Sequence, residues 1–470
     1  MNRQTWGKIF GDIRIWLGLT FMHRLFSIMQ PPLEAAHNWR QSTVCMVARN
    51  FLEVDANIFY PRVDMAGELS GITGMEFPLF NYLIYLVSLV FGYEHWYGRL
   101  INLIVTSLGI YCFYKYLKNV INSRIAFNTS IILIFSIWYF YSRKIMPDTI
   151  AIGLIMIGAW SWYKFITYNQ WGHFILGGVL ILCGVLSKLP SIVFLAFLWP
   201  LIKTSNQKQL LSLGIAIIIN AVASYGWYFI WIPKLNQDFS YEHFFMGESI
   251  ASTVGYLLEQ WPEMLHIFYQ KAIGFTGFAA FVIGIYFLVI QSRQNLIIAA
   301  FSLLLFIGFL LKSGSKFVDH EYYIIPIIPF MSLSAAYALN NLSQKLVLIA
   351  LLAIAVEGIT RKWEDQFIKS GKELVVLEDK LEPFVETKNL IAINSGEYPT
   401  PLYFAHRKGW VASNEQLSNP KYLNQLQLRG CQYILILKQR FGSEVQMALP
   451  KLHEDDLFAL YALSKNLSPH

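Results

Sequence analysis

Apolar runs long enough to cross a lipid bilayer recur along most of this sequence, and they leave few folds open to it. A helix needs about 20 largely apolar residues to cover the ~30 Å hydrocarbon core, and only helices or closed barrels satisfy their backbone polar groups there. Such runs lie at roughly 9–29, 98–117, 124–142, 148–168, 171–187, 189–203, 209–232, 272–291, 294–312, 322–340 and 345–360. Charge is correspondingly sparse: 14% of the 470 residues are charged, against about 25% in soluble chains. Aromatic residues reach 16%, enough for the Trp and Tyr belts of membrane interfaces. The predicted fold class is an all-α polytopic membrane protein. The first run contains Arg14, His23 and Arg24 and lacks a small-residue cleavage site, so no cleavable signal peptide is expected.

One more apolar run, 78–92 (PLFNYLIYLVSLVFG), is shorter, and its placement decides the topology. Lys and Arg on short loops mark the cytoplasmic side. They occur as Arg3, Lys8 and Arg14, as Lys115, Lys118 and Arg124, as Lys203 and Lys208, and at Arg293 and Lys345. All fall on one side if 78–92 is an interfacial or re-entrant helix within the first external loop. About eleven spans follow, with the N-terminus cytoplasmic and the C-terminus outside. If 78–92 crosses instead, a span is lost or every later loop flips. The tail from about 361 has a soluble composition, with strand-like runs LIAIN (390–394) and YILIL (433–437) among helical patterns. The expected organisation is a membrane domain over 1–360, carrying 30–97 as its first external loop, and a small external α/β domain over 361–470. The net charge of +7 is spread over short loops, so it orients the chain and makes no nucleic-acid footprint. Cys45, Cys112, Cys183 and Cys431 form no CxxC pair and suggest neither a zinc knuckle nor a disulfide framework.

Ionisable residues at membrane depth are costly and usually functional. Here they gather at the helix ends assigned to the outside. The first loop holds Glu34, His37, Trp39, Arg40 and Gln41, then Arg49 and Asn50, then Glu76 before Pro78. Arg143, Lys144 and Asp148 share the turn SRKIMPD, and Lys188 stands alone in LSKLP. Later loops supply Asp238, Glu242, His243 and Glu248, and then Lys312, Lys316, Asp319, His320, Glu321, Tyr322 and Tyr323. Each residue has an ordinary reading beside the functional one. Asp148 follows Pro147 and suits a helix N-cap. Lys188 suits a snorkelling lysine. Arg40 and Arg49 suit headgroup anchors, His243 and His320 interfacial histidines, and Tyr322 and Tyr323 the aromatic belt. Glu76 suits the dipole at a helix start. The run YFAHRKGW (403–410) reads as a solvated surface loop, although Tyr403, His406, Arg407 and Trp410 are also types that bind sugars. The ordinary readings leave the convergence on one face unexplained.

Cations at the outer rim of an apolar bundle suit a lipid-linked phosphate, with the lipid tail among the helices and Lys and Arg at headgroup level. Helix starts near 148 and 189 add favourable dipoles. Cations also stabilise the charge that develops on a phosphate leaving group, and a carboxylate can take the proton of an acceptor. No Walker or dinucleotide fingerprint occurs. The chemistry that fits is glycosyl transfer from a polyprenyl-phosphate sugar.

Over about residues 10–345 the order of features resembles the GT-C membrane glycosyltransferases, above all the bacterial lipid A aminoarabinose transferases and the protein O-mannosyltransferases. PPLEAAHNWRQSTVCMVARNF is similar to the start of their first external loop, and GMEFPLFNY to its glutamate–proline element. SRKIMPDTIAIGLIM, GVLSKLPSIVF and SKFVDHEYYIIPIIPF are similar to the aspartate-led helix, the lone-lysine element and the late external loop. The usual acidic pair of the first loop is absent; a clade of bacterial relatives has an acidic residue, His and Trp-Arg-Gln, as Glu34, His37, Trp39, Arg40 and Gln41 stand here. The resemblance implies Glu34, Glu76 or Asp148 as catalytic carboxylate. It implies His37, Arg40, Gln41, Arg143, Lys188, His243, Lys316, His320, Tyr322 and Tyr323 as substrate-binding residues. It also implies a divalent metal cation as a candidate cofactor, with Glu76 and His243 as its ligands.

The expected function is transfer of a sugar from a polyprenyl-phosphate donor to a lipid, glycan or protein acceptor, in contact with membrane lipids, at the outer face of the cytoplasmic membrane. A ligase-like enzyme with a diphosphate donor is a neighbouring alternative. A flippase or transporter for a lipid-linked saccharide is a second class, although no internal repeat or midplane charge of the kind such proteins show is evident. A non-catalytic subunit presenting the C-terminal domain is a third.

Overall fold

The computed structural model describes residues 11–243, 247–291, 293–361, 363–438, 445 and 447–463; Arg3 and Lys8 lie outside them. Among the described residues six helices are long and apolar enough to cross a membrane: Tyr97–Val120, Pro147–Tyr168, Gln207–Phe239, Gly274–Gln291, Gln294–Ser313 and Glu321–Asn340. Other apolar runs give shorter pieces. The 124–142 run breaks at Phe135 and Ser136 into helices Ser123–Ile134 and Ile137–Tyr141. The 189–203 run is a 3₁₀ helix, Leu189–Leu198, followed by the α-helix Trp199–Thr204, with Pro190 and Pro200 in their first turns. Gln344–Arg361 carries Lys345, Glu357 and Arg361.

The chain forms two compact units. The first comprises Met1–Ile28, Gly98–Phe229 and Phe245–Glu364; the second comprises Met29–Tyr97, Ile230–Phe244 and Asp365–His470. In the first unit burial sorts the spans. Glu321–Asn340 is 94% buried and Pro147–Tyr168 72%, whereas Gly274–Gln291 and Gln294–Ser313 are only 28% buried. Helices that are apolar all round and buried form the centre, and those left uncovered by protein present lipid-compatible surface. Small residues bring the central helices together, as bilayer packing favours. A Cβ on Gly109 would stand 2.8 Å from the Gly153 Cα, so only glycine permits that crossing. Glu357, a charge within an apolar run, accepts from the Thr276 hydroxyl at 2.6 Å and the Thr276 amide at 3.2 Å. That is the first turn of Gly274–Gln291, where the helix dipole favours a carboxylate.

The second unit is built on two helices of the first loop and a sheet. Asn38–Glu53 packs on Leu79–Phe91, and the Asn81 amide donates to the Val44 carbonyl at 2.9 Å. Thirteen residues of helix reach about 20 Å at 1.5 Å per residue, so Leu79–Phe91 is too short for the ~30 Å core. Phe80, Asn81, Ile84, Tyr85 and Ser88 bury one face, while Leu86, Leu89, Val90 and Phe91 are exposed. The described strands are β1 (Ile391–Ile393), β2 (Gly409–Val411), β3 (Tyr433–Leu437), β4 (Lys451–Glu454) and β5 (Phe458–Ala462). They make one sheet in the order β2-β1-β3-β5-β4. β1 pairs in parallel with β2 and β3, while β5 runs antiparallel to both β3 and β4. The strand-like runs at 390–394 and 433–437 are thus the two central parallel strands, buried at every position, as continuous apolar runs require. The free side of β2 is met by the first loop: the Gly67 amide donates to Gly409 O at 2.8 Å, and the Gly409 amide to Asp64 O at 2.9 Å.

Candidate active site

In the first unit the polar residues cluster where a turn leads into the helix Pro147–Tyr168. Asn102, fully buried in Tyr97–Val120, holds that turn. Its side-chain amide donates to Lys144 O at 2.9 Å and Met146 O at 3.2 Å, and its carbonyl accepts from the Thr149 hydroxyl at 2.8 Å. The turn therefore delivers Arg143, Lys144 and Asp148 in a set geometry. Arg143 and Lys144 are each 1% exposed, and Arg143 Nη2 donates to Ser27 O at 2.9 Å. Asp148 is not an N-cap: Met146 holds that place, Pro147 opens the helix, and the Asp148 carboxylate faces Lys188 Nζ at 3.4 Å. Lys188 itself joins the helix Trp171–Ser187 to the 3₁₀ helix in extended backbone, with φ −159°. This break in the helical run turns its side chain, only 14% exposed, towards Asp148.

Aromatic rings continue the cluster. The Lys188 ammonium lies 5.9 Å from the centre of the Tyr323 ring. Tyr323 packs edge-on against His320 and Tyr322, and His320 stacks on Tyr322 with centroids 5.4 Å apart. Glu321 accepts from the Tyr141 hydroxyl at 2.9 Å and pairs with Lys271 at 3.5 Å. Lys316 turns to Asp319 at 3.5 Å, with both side chains nearly half exposed. Its pairing and exposure set it apart from the buried Asp148–Lys188 pair. Glu248 bonds to the Ser315 hydroxyl at 3.0 Å, and its backbone carbonyl takes Lys312 Nζ at 2.8 Å.

In the second unit the first loop makes its own constellation. Ala36 and His37 both hold left-handed backbone, φ 61° and 60°, uncommon for residues with a Cβ. They swing the chain from the strap 30–35 into helix Asn38–Glu53. The strap is tied by the Gln30 side chain to Gln366 O at 2.7 Å and by the Ala35 amide to Phe367 O at 3.0 Å. Glu34 is 1% exposed on it, and Gln41 is fully buried in the first turn of the helix. Arg40, from the same turn, reaches Glu76: Nη2 to Oε1 is 2.5 Å, with side chains 11% and 5% exposed. Glu76 is positioned from its own side. The Gly74 amide donates to the Asn236 side-chain oxygen Oδ1 at 2.9 Å, and the Thr73 hydroxyl bonds to Tyr241 O at 3.5 Å. His243 follows two residues later. Burial first, then the Arg40 charge, push its pKa down to about 4, with Glu76 pulling the other way. Its imidazole is neutral at neutral pH.

The segment 403–410 is not a solvated surface loop. Tyr403 is buried at the end of helix Thr400–Ala405, and Gly409–Val411 is strand β2. The Arg49 guanidinium sits 4.6 Å over the Tyr403 ring and pairs with Asp64 at 3.2 Å. The Tyr403 hydroxyl bonds to Tyr93 at 2.7 Å and to His95 Nδ1 at 2.8 Å. Arg407 donates to the carbonyls of Val385, Ala405 and His406. The polar letters of this run serve internal bonds, which composition cannot distinguish from solvation. Asn102, Asn236 and Tyr241 escaped sequence reasoning altogether. Asn102 had a signal, as an amide inside an apolar run; the other two had none.

Residues 76–228 match the dolichyl-phosphate-mannose-protein mannosyltransferase family. Among solved structures the chain is similar to ArnT from Cupriavidus metallidurans in the apo state, with TM-score 0.61, 12% identity, and coverage of 96% of this chain and 99% of that one. ArnT bound to undecaprenyl phosphate matches with TM-score 0.58 and 13% identity, over 97% and 99% of the two chains. The fold is that of the GT-C membrane glycosyltransferases. The Archaeoglobus fulgidus oligosaccharyltransferase complex with Zn and sulfate shares this GT-C fold at TM-score 0.55 and 13% identity, over 86% of this chain and 64% of that one. No curated protein matches at the level of sequence. Within the GT-C fold this chain is a multi-pass membrane protein.

The donor set can be tested against the divalent ion that the resemblance implies. Among the described residues no group of three His, Cys, Asp or Glu side chains is placed to hold an ion. Glu76 and His243 are two ligands where a catalytic zinc site uses three protein ligands. Glu76 already carries the Arg40 guanidinium. These residues do not fit a resident divalent metal.

Proposed function

We propose that this chain is a glycosyltransferase of the cytoplasmic membrane that moves a sugar from a polyprenyl-phosphate donor to a lipid, glycan or protein acceptor at the outer face, with the N-terminus inside. The observation that carries this is the buried Asp148–Lys188 pair beside Tyr323, at the end of helices apolar enough to hold a lipid tail. Asp148 holds the ammonium at that depth, and a phosphate on an isoprenoid chain would bring a further anion to the same level. ArnT, whose fold this chain shares, has been seen with undecaprenyl phosphate bound.

In the reaction the bond from the sugar C1 to the phosphate oxygen breaks and a bond from C1 to the acceptor forms. Polyprenyl phosphate leaves with the electron pair, and the acceptor proton passes to a carboxylate. Lys188 and Arg143 stabilise the charge developing on the phosphate. Glu34 or Glu76 takes the proton, and Asp148 orients Lys188. His37, Gln41, His320, Tyr322 and Tyr323 contribute polar and aromatic contacts to sugar and phosphate. The test is transfer from a radiolabelled polyprenyl-phosphate sugar in membranes containing the chain. Loss of transfer in Lys188→Ala and in Glu34→Gln or Glu76→Gln is expected. Wild-type rates in all three variants would overturn these assignments.

A further inference from the structure

The Glu76 carboxylate is already matched by a cation belonging to the chain. Arg40 Nη2 lies 2.5 Å from Glu76 Oε1, and the two side chains are 11% and 5% exposed. A guanidinium does not lose its proton in proteins, so the cation is present at every pH at which the protein folds. We infer that Arg40 is the resident cation of the Glu76 site, standing where a divalent ion would otherwise be needed.

Arg40 occupies the first turn of helix Asn38–Glu53, in which there is no acidic residue. A cation there opposes the helix dipole, so helix stability does not account for it; the contact with Glu76 does. Both ends of the pair are held separately, Arg40 by the left-handed turn at Ala36 and His37, and Glu76 by the Gly74–Asn236 bond. The pair is therefore prebuilt rather than a chance meeting of long side chains. A divalent ion on Glu76 would place two further positive charges beside the guanidinium. Planar N–H donors also fix a carboxylate's direction, which a point charge does not. Arg40 is thus a positioning residue that keeps Glu76 paired and aimed. Its role in turnover rests on the glycosyl-transfer reading, whereas what neutralises Glu76 does not.

The test separates the two. The full-length protein in detergent is incubated with Zn²⁺ and desalted, and bound zinc is measured for wild type, Glu76→Gln and His243→Ala. The His243 variant leaves the ion pair intact, so it remains informative if Glu76→Gln misfolds. Equal zinc content in wild type and variants is expected. About one equivalent bound by wild type and absent from either variant would overturn the inference, whatever the protein's activity. In the transfer assay Arg40→Ala is expected to lose at least ~100-fold in kcat, the scale of losing a preorganised electrostatic contact. Arg40→Lys, which keeps the charge, should recover part of that loss. An Arg40→Ala variant as active as wild type would also overturn it.

Discussion

In the unit that holds the apolar spans two pairs at the helix ends are long, Asp148–Lys188 at 3.4 Å and Lys271–Glu321 at 3.5 Å. In the unit that contains the first loop and the sheet several pairs are shorter. Arg40 meets Glu76 at 2.5 Å, Arg49 meets Asp64 at 3.2 Å, and His406 stands between Glu378 at 2.5 Å and Glu53 at 2.8 Å. The first unit is assembled largely by apolar surface and close glycine contacts. The second has a small sheet, and its charges join loop helix to C-terminal chain. Charge removed from the Asp148–Lys188 pair should therefore cost chemistry, and charge removed from the Arg49 and His406 contacts should cost stability.

Lys188→Ala gives the largest expected effect. Transfer should fall by about 10²–10³-fold, as when a single transition-state electrostatic contact is lost. The thermal midpoint in detergent should fall less than for Arg49→Ala, because the Asp148–Lys188 contact is the longer of the two. A large drop in midpoint with transfer retained would break the contrast. Arg49→Ala is its counterpart: stripping one partner from a buried pair costs roughly 3–5 kcal/mol. It should show as a loss of denaturant resistance, read by protease sensitivity of the 365–463 chain.

A smaller effect is expected from pH. Burial opposes the charged form of His406, but hydrogen bonds to Glu378 and Glu53 prevail and raise its pKa from 6.5 to about 8. Both ring nitrogens face carboxylates, so the imidazolium is the form that bonds to both. Its contribution is complete below pH ~6.5 and is lost as pH rises through 8. With solvent screening it amounts to about 1 kcal/mol. Unfolding midpoints measured from pH 6 to pH 9 should decline in wild type by more than in His406→Gln; equal slopes would remove the clasp. Lys316→Ala is the smallest change. Its exposed pair with Asp319 should contribute less than about 1 kcal/mol, and transfer should stay within about twofold. A large loss would move Lys316 into the site.

Much of this was legible in the sequence, for identifiable reasons. Apolar content summed over local windows located the six long helices, but not the breaks at Phe135–Ser136 and after Leu198 that divide two of the other runs. Strands β1 and β3 were visible as unbroken apolar runs because they are central and parallel. Asp148 and Lys188 were each conspicuous as charges in apolar surroundings, although 40 residues of sequence conceal their meeting. Other features were hidden. Nothing in LSKLP says that Lys188 lies in extended backbone, and nothing in YFAHRKGW says that its polar groups bond inward. Asn236 and Tyr241 look like ordinary loop residues until Gly74 and Thr73 are seen against them.

Local composition by itself determined that this protein is a bundle of apolar helices with a small sheet-bearing tail, and which residues were costly enough to need a reason. Burial free energy is additive along the chain, so it can be read in one dimension. The tertiary structure alone decided which charge answers which: Lys188 for Asp148, Arg40 for Glu76, Glu53 and Glu378 for His406. Pairing depends on distance and direction at a few ångströms, and those are set by how segments far apart in sequence are packed.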